Sequence, residues 1–128
     1  MAQPLPTTNS INLAILFRHE DKQIKLAAGE TLFKEGDKGE EAYVMLSGEA
    51  DIKVGDRVVE LAAGGTILGE MALIDTEPRA ATVTARTECT LAVIDGKRFN
   101  HLVQQTSLFA IIVMRVMVRR LRRMDAGL

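Results

Sequence analysis

Glu70 and Arg79 stand nine positions apart within residues 64–85, G-G-T-I-L-G-E-M-A-L-I-D-T-E-P-R-A-A-T-V-T-A. An ionised glutamate only accepts hydrogen bonds, so Glu70 would repel a phosphate and suit a sugar hydroxyl. An arginine offers a planar fork of donors that matches two oxygens of a phosphate. Gly69 lacks a Cβ, which lets the chain turn sharply and lets a ligand approach the backbone. Glu70, Met71, Ala72 and Leu73 favour a helical turn, whose first N–H groups point outward toward an anion. Pro78 cannot sit inside that turn and biases Glu77 toward an extended shape, so the chain reverses and delivers Arg79. Ala80 and Ala81 are small enough for their backbone N–H groups to come close to the same anion. One acceptor, one fork and a cradle of amides describe a site for a nucleotide carrying few negative charges. The alternative is an ion pair between Glu70 and Arg79 in a structural jelly roll that binds nothing.

The elements that must hold these residues read as short strands. Residues 23–27, 31–34, 42–46, 50–54 and 57–61 alternate in hydropathy, and Glu-Gly-Asp at 35–37, Ser-Gly at 47–48, Gly-Asp at 55–56 and Gly-Gly at 64–65 punctuate them. Gly55-Asp56 predicts a tight hairpin. Residues 81–86 and 90–94 resume the alternation after the cassette. The expected fold is mainly β with flanking helices: an antiparallel jelly-roll barrel, a short cassette helix and two C-terminal helices. Ile67, Leu68, Leu73 and Val83 serve either a ligand's apolar face or plain core.

Asp95 is placed to cap a first C-terminal helix running through Val103, and Thr106 or Ser107 a second from about Leu108 to Met124. Phe109, Ile112, Val113 and Val116 form one apolar stripe of that second helix. Ile111, Met114, Met117, Val118 and Leu121 form another, which calls for a second surface. That surface is a second subunit or the N-terminal apolar segment 11–17, which itself reads as a helix capped by Asn9 or Ser10, or as a strand. Residues 1–10 read as flexible. The R-R-L-R-R cluster at 119–123 reads as a solvated, cationic helix end.

I-L-G-E-M-A-L-I followed by P-R-A-A-T-V closely resembles the signature of the cyclic nucleotide-binding domain. The catabolite activator protein, the regulatory subunits of cAMP-dependent protein kinase and cyclic-nucleotide-gated channels share that domain. Upstream, L-A-A-G-E-T-L-F-K-E-G-D-K-G-E-E-A-Y-V-M-L-S-G-E-A is similar to the family's opening strands, so the likeness runs from about Lys22 to the C-terminal helix. The resemblance implies that Glu70, with the Gly69 backbone, accepts from the ribose 2′-hydroxyl, and that Arg79 pairs with the cyclic phosphate. It implies that backbone amides of Ala72, Ala80 and Ala81 complete the phosphate cradle. The implied ligand-binding set is Leu68, Gly69, Glu70, Met71, Ala72, Leu73, Arg79, Ala80, Ala81 and Val83. Members preferring cGMP carry Thr after the arginine; Ala80 implies cAMP, with cGMP second. Some family members also cap the base with an Arg or an apolar residue of the C-terminal helix, which makes Val113, Met114 and Met117 lid candidates. Dimerisation through that helix, as in the catabolite activator family, is the implied assembly.

At 128 residues and 14.0 kDa the chain is expected to be a single domain: an N-terminal segment (1–21), a β-roll (22–95) carrying the cassette (64–85), and C-terminal helices (96–128). Aromatic residues make up only 4 %, so the core must be aliphatic. No run approaches the roughly 20 apolar residues of a membrane span, and the N-terminus lacks a signal-peptide pattern. One cysteine, Cys89, excludes an internal disulfide and fits the cytoplasm.

The two histidines, His19 and His101, lack metal-site spacing, which argues against a cupin-type enzyme. The expectation is therefore no catalytic residue, no metal and no cofactor beyond the nucleotide ligand. Residues 114–128 hold five arginines against one aspartate, while the remainder is acidic, a poor nucleic-acid surface. The chain thus reads as a bacterial stand-alone sensor signalling to an unknown downstream protein. A DNA-associated regulator of the catabolite activator type without its own DNA-binding domain is the second reading.

Overall fold

The computed structural model of the chain describes residues 13–126. The N-terminal ten residues, Ile11 and both cap candidates lie outside that range. Two four-stranded antiparallel sheets face each other. The first has the order β1 (Gln23–Leu26), β8 (Cys89–Asp95), β3 (Glu41–Ser47), β6 (Ile67–Leu68). The second has β2 (Thr31–Phe33), β7 (Thr82–Ala85), β4 (Ala50–Val54), β5 (Arg57–Ala62). The hairpin at Gly55-Asp56 is present, with Val54 opposite Arg57.

Strand periodicity decides which side chain enters which core. Met45, Leu91 and Cys89 from the first sheet meet Ala50, Ile52, Val83 and Ala85 of the second inside the roll. Their neighbours Ala42, Val44, Ala92 and Ile94 point the other way, into a second core covered by helices. The first sheet is thus buried on both faces, which is why β8 reads as a nearly unbroken apolar run rather than an alternation. β7 and β4, covered on one face, alternate.

The covering helices are α1 (Leu13–Phe17), α3 (Gly96–Gln105) and α4 (Ser107–Ala126). Asp95 caps α3, its Oδ1 accepting from the Arg98 N–H at 2.8 Å. Three of the four phenylalanines meet here: Phe109 stands edge-on to Phe17 at 5.9 Å and to Phe99 at 5.7 Å. The N-terminal apolar segment therefore packs, through Leu13 and Phe17, on the stripe of α4 formed by Phe109, Ile112, Val113 and Val116. Met117 belongs to that buried side, not to the second stripe. Leu108, Ile111, Met114, Val118 and Leu121 remain exposed. Among the described residues no single helix is long and apolar enough to cross a membrane.

Candidate functional site

Strand β6 ends at Leu68, and Gly69 and Glu70 lead the chain into the short helix α2 (Met71–Asp75). Gly69 has φ +75°, and an added Cβ would run into the Arg79 guanidinium, so both its conformation and its neighbour demand glycine. α2 stops before Pro78 at Thr76, which takes a left-handed conformation (φ 57°), while Asp75 Oδ1 accepts from the Glu77 N–H. The reversal sets Arg79 against the turn at 35–37: its N–H donates to Asp37 O and its carbonyl accepts from the Gly36 N–H, each at 2.8 Å.

The Arg79 side chain is only 6 % exposed. Its Nη2 donates to Glu41 O at 2.8 Å and its Nη1 to Gly69 O at 3.2 Å. The guanidinium lies 4.2 Å from the Phe33 ring centroid and against Gly39, where a Cβ could not fit. Its Nε is buried without a partner. Burial pushes the Arg79 pKa down, with Tyr43 and nearby carboxylates opposing. At that position a fixed positive charge is held by two neutral carbonyls and a ring, and the buried Nε has no partner. A buried charge in that condition calls for an anion.

Glu70 is 2 % exposed, and its partner is not Arg79. Arg120 of α4 donates through Nη1 to Glu70 Oε1. The same guanidinium grips Glu60 of β5 with two bonds, Nε to Oε1 at 3.0 Å and Nη2 to Oε2 at 3.1 Å, and donates to Ile67 O at 2.8 Å. Arg123 Nη1 lies 3.1 Å from Glu60 Oε1. Burial alone would lower the Arg120 pKa, but the Glu70 and Glu60 carboxylates outweigh it and hold it well above the ordinary arginine value. The alternative ion pair between Glu70 and Arg79 does not form: each of these residues has its own partners.

A cavity of about 70 Å³ lies between these groups. Leu68, Gly69, Glu70, Met71, Ala72, Arg79, Ala80, Ala81 and Val83 all line it, joined by Phe33, Ile52 and Arg120. Leu73 and Ile67 do not: α2 and β6 turn them toward the helix-covered core. The lid candidates also fall elsewhere. Val113 is buried in the helix core, Met117 packs beside it, and Met114 is exposed. The residue of α4 that reaches the cassette is Arg120, and its anchor is Glu60; neither was singled out by the sequence.

The chain belongs to the cyclic nucleotide-binding domain family, whose model matches residues 23–106. It is 40 % identical over 82 residues to a cAMP-dependent protein kinase regulatory subunit of Emericella nidulans, covering 62 % of this chain and 20 % of that protein. The solved catabolite activator protein of Thermus thermophilus superposes with a TM-score of 0.73 at 26 % identity, over 90 % of this chain and 55 % of that one. A structure described as part of a cyclic-GMP-dependent signalling pathway in bacterial phytopathogenesis gives 0.75 at 25 % identity, over 90 % and 95 %. The chain spans about a fifth of the length of the kinase regulatory subunits it matches.

Proposed function

We propose that this chain is a sensor that binds cAMP in preference to cGMP and passes occupancy through α3 and α4 to a downstream protein. Arg79 carries the reading: a buried guanidinium beside Gly69 and the Ala80-Ala81 pair, with Nε unpartnered. It pairs with the cyclic phosphate, while Glu70 accepts from the ribose and the amides of Ala72, Ala80 and Ala81 close the cradle. Ala80 lacks the hydroxyl that would bond to guanine, which favours cAMP. The exposed Ile111, Met114, Val118 and Leu121 recur at three- and four-residue steps along α4, a seam suited to a second copy of the helix. On this reading residues 1–128 form one cytoplasmic nucleotide-binding module. The DNA-associated reading is weakened because two of the four clustered arginines, Arg120 and Arg123, are tied to Glu60.

Titration of purified protein with cAMP, comparing wild type with Arg79→Ala, tests the reading. The substitution should weaken binding by about 2–5 kcal/mol, as loss of one member of a buried charge pair does. Equal affinity of the two proteins would place the nucleotide elsewhere.

A further inference from the structure

We infer that Phe33 is a positioning residue for the nucleotide phosphate: a bulge in β2 turns its ring onto the Arg79 guanidinium, and the ring fixes the plane in which that fork meets the ligand. The inference rests on the cyclic-nucleotide reading. The bulge comes first. Thr31 stands opposite Thr84, with their hydroxyl oxygens 3.2 Å apart on the outer side of the second sheet. Strict alternation would send Leu32 inward to face Val83, and Phe33 outward beside Thr31. Instead the register shifts, and Phe33 itself pairs with Val83, which is 2 % exposed. One extra residue on β2 re-aims the strand, as bulges do beside sites. Leu32 and Phe33 then both pack against the inner core of the roll. Past Phe33 the ladder ends. The Glu35 N–H donates to Thr82 Oγ1 at 2.9 Å, and the Lys34 N–H to Asp37 Oδ2 at 3.0 Å. Gly36 and Asp37, the next residues along, hold the Arg79 backbone.

The ring completes what the hydrogen bonds leave undone. Nη1 and Nη2 bond to Gly69 O and Glu41 O, which fixes where the end of the fork sits. Those two bonds leave the plane free to tilt about the line joining them, and a tilt swings Nε. The Phe33 ring, 4.2 Å from Cζ, opposes that tilt. The Tyr43 ring, from the first sheet, stands 6.2 Å from that of Phe33 and 6.0 Å from the same Cζ. A ring attracts the cation through its π face and takes no donor, so the buried Nε–H stays unpartnered. A carboxylate in that place would accept from Nε and cancel the charge that the phosphate is to meet. Phe33 also lines the cavity together with Gly69 and Arg79.

Without the ring the guanidinium samples tilted orientations, and apparent affinity falls by the competent fraction. A desolvated cation–π contact supports a population ratio of about ten, so Phe33→Leu should weaken cAMP binding about tenfold. Two measurements on the full chain test this. One is calorimetric titration with cAMP. The other is the proton–nitrogen NMR spectrum of the arginine Nε–H groups in the ligand-free protein, where the peak missing from Arg79→Lys identifies Arg79. The Phe33 ring current should hold the Arg79 Nε proton upfield in wild type. Phe33→Leu, which keeps an apolar side chain there, should move it downfield. Phe33→Tyr keeps the π face, so its peak should stay upfield and its affinity within about twofold of wild type.

Undiminished cAMP binding by Phe33→Leu would overturn the inference and leave the nucleotide reading standing. Weaker binding with the Arg79 peak unmoved would also overturn it, because the ring would then act on the ligand and not through the arginine. So would equal losses in the Leu and Tyr variants, which would mark a packing role only. Absence of cAMP binding by wild type would remove the functional reading and the inference with it. If Phe33→Leu does not fold, Phe33→Met decides by the same two measurements, since it fills the place without a π face.

Discussion

Arg120→Met removes the guanidinium that two buried acids share, leaving Arg123 beside Glu60. In the native protein Glu60 and Glu70, each 2 % exposed, share one guanidinium. Methionine preserves most of the aliphatic stem and removes every donor. Breaking a buried pair by removing one partner costs about 3–5 kcal/mol, because the remaining charge keeps its desolvation penalty. For a domain of this size each kcal/mol lowers Tm by roughly 3–6 °C, so the midpoint should fall by about 10–25 °C at pH 7.

The pH dependence identifies the cause. The cost belongs to ionised carboxylates, so protonating them removes it. The variant's deficit should be larger at pH 8 than at pH 4, because acid neutralises carboxylates. Thermal unfolding of both proteins by circular dichroism between pH 4 and 8 measures this. A deficit below 1 kcal/mol, or one that does not change with pH, would refute the assignment of Arg120 as the cation of a closed network.

Gly39→Ala should displace the Arg79 guanidinium, which an added Cβ would strike, while the backbone stays put. Nucleotide affinity should drop by about tenfold with a stability change under about 1 kcal/mol, read by titration and melting; an unchanged affinity would free Arg79 of its role. Ala80→Thr should raise cGMP affinity relative to cAMP, and a constant ratio in competition binding would refute the selectivity assignment. Cys89 is fully buried and burial pushes its thiol pKa up, so alkylation by iodoacetamide at pH 8 should proceed only as fast as the protein opens. Rapid labelling of the folded protein would contradict that.

Much of the architecture could be read from the chain because its determinants are local. Alternation marks β4 and β7, Gly55 marks the hairpin from β4 to β5, Asp95 caps α3, and Pro78 ends α2. The two-sided burial of β8 left a weaker pattern, and the strand came out longer than its alternation predicts, Cys89–Asp95 rather than 90–94. Arg120 was missed for a different reason. R-R-L-R-R reads as a solvated helix end when each residue is taken alone. Yet Phe109, Val113, Val116 and Arg120 follow one another at four-, three- and four-residue steps, so Arg120 continues the buried stripe. Glu60 is the matching anomaly, an acid two residues before the inward-facing Ala62 of β5. A buried-phase arginine and a buried-phase glutamate far apart in sequence are each other's natural partners. The spatial arrangement that joins them depends on how α4 crosses the roll, which no local pattern encodes.

The account turns on whether the Arg79 cradle holds a cyclic nucleotide. Isothermal calorimetry with cAMP and with cGMP on nucleotide-stripped protein tests this directly. One site per chain is predicted, with cAMP the tighter ligand and its heat abolished by Arg79→Ala. Absence of binding by both nucleotides in the folded wild-type protein, or undiminished binding by the variant, would contradict the account.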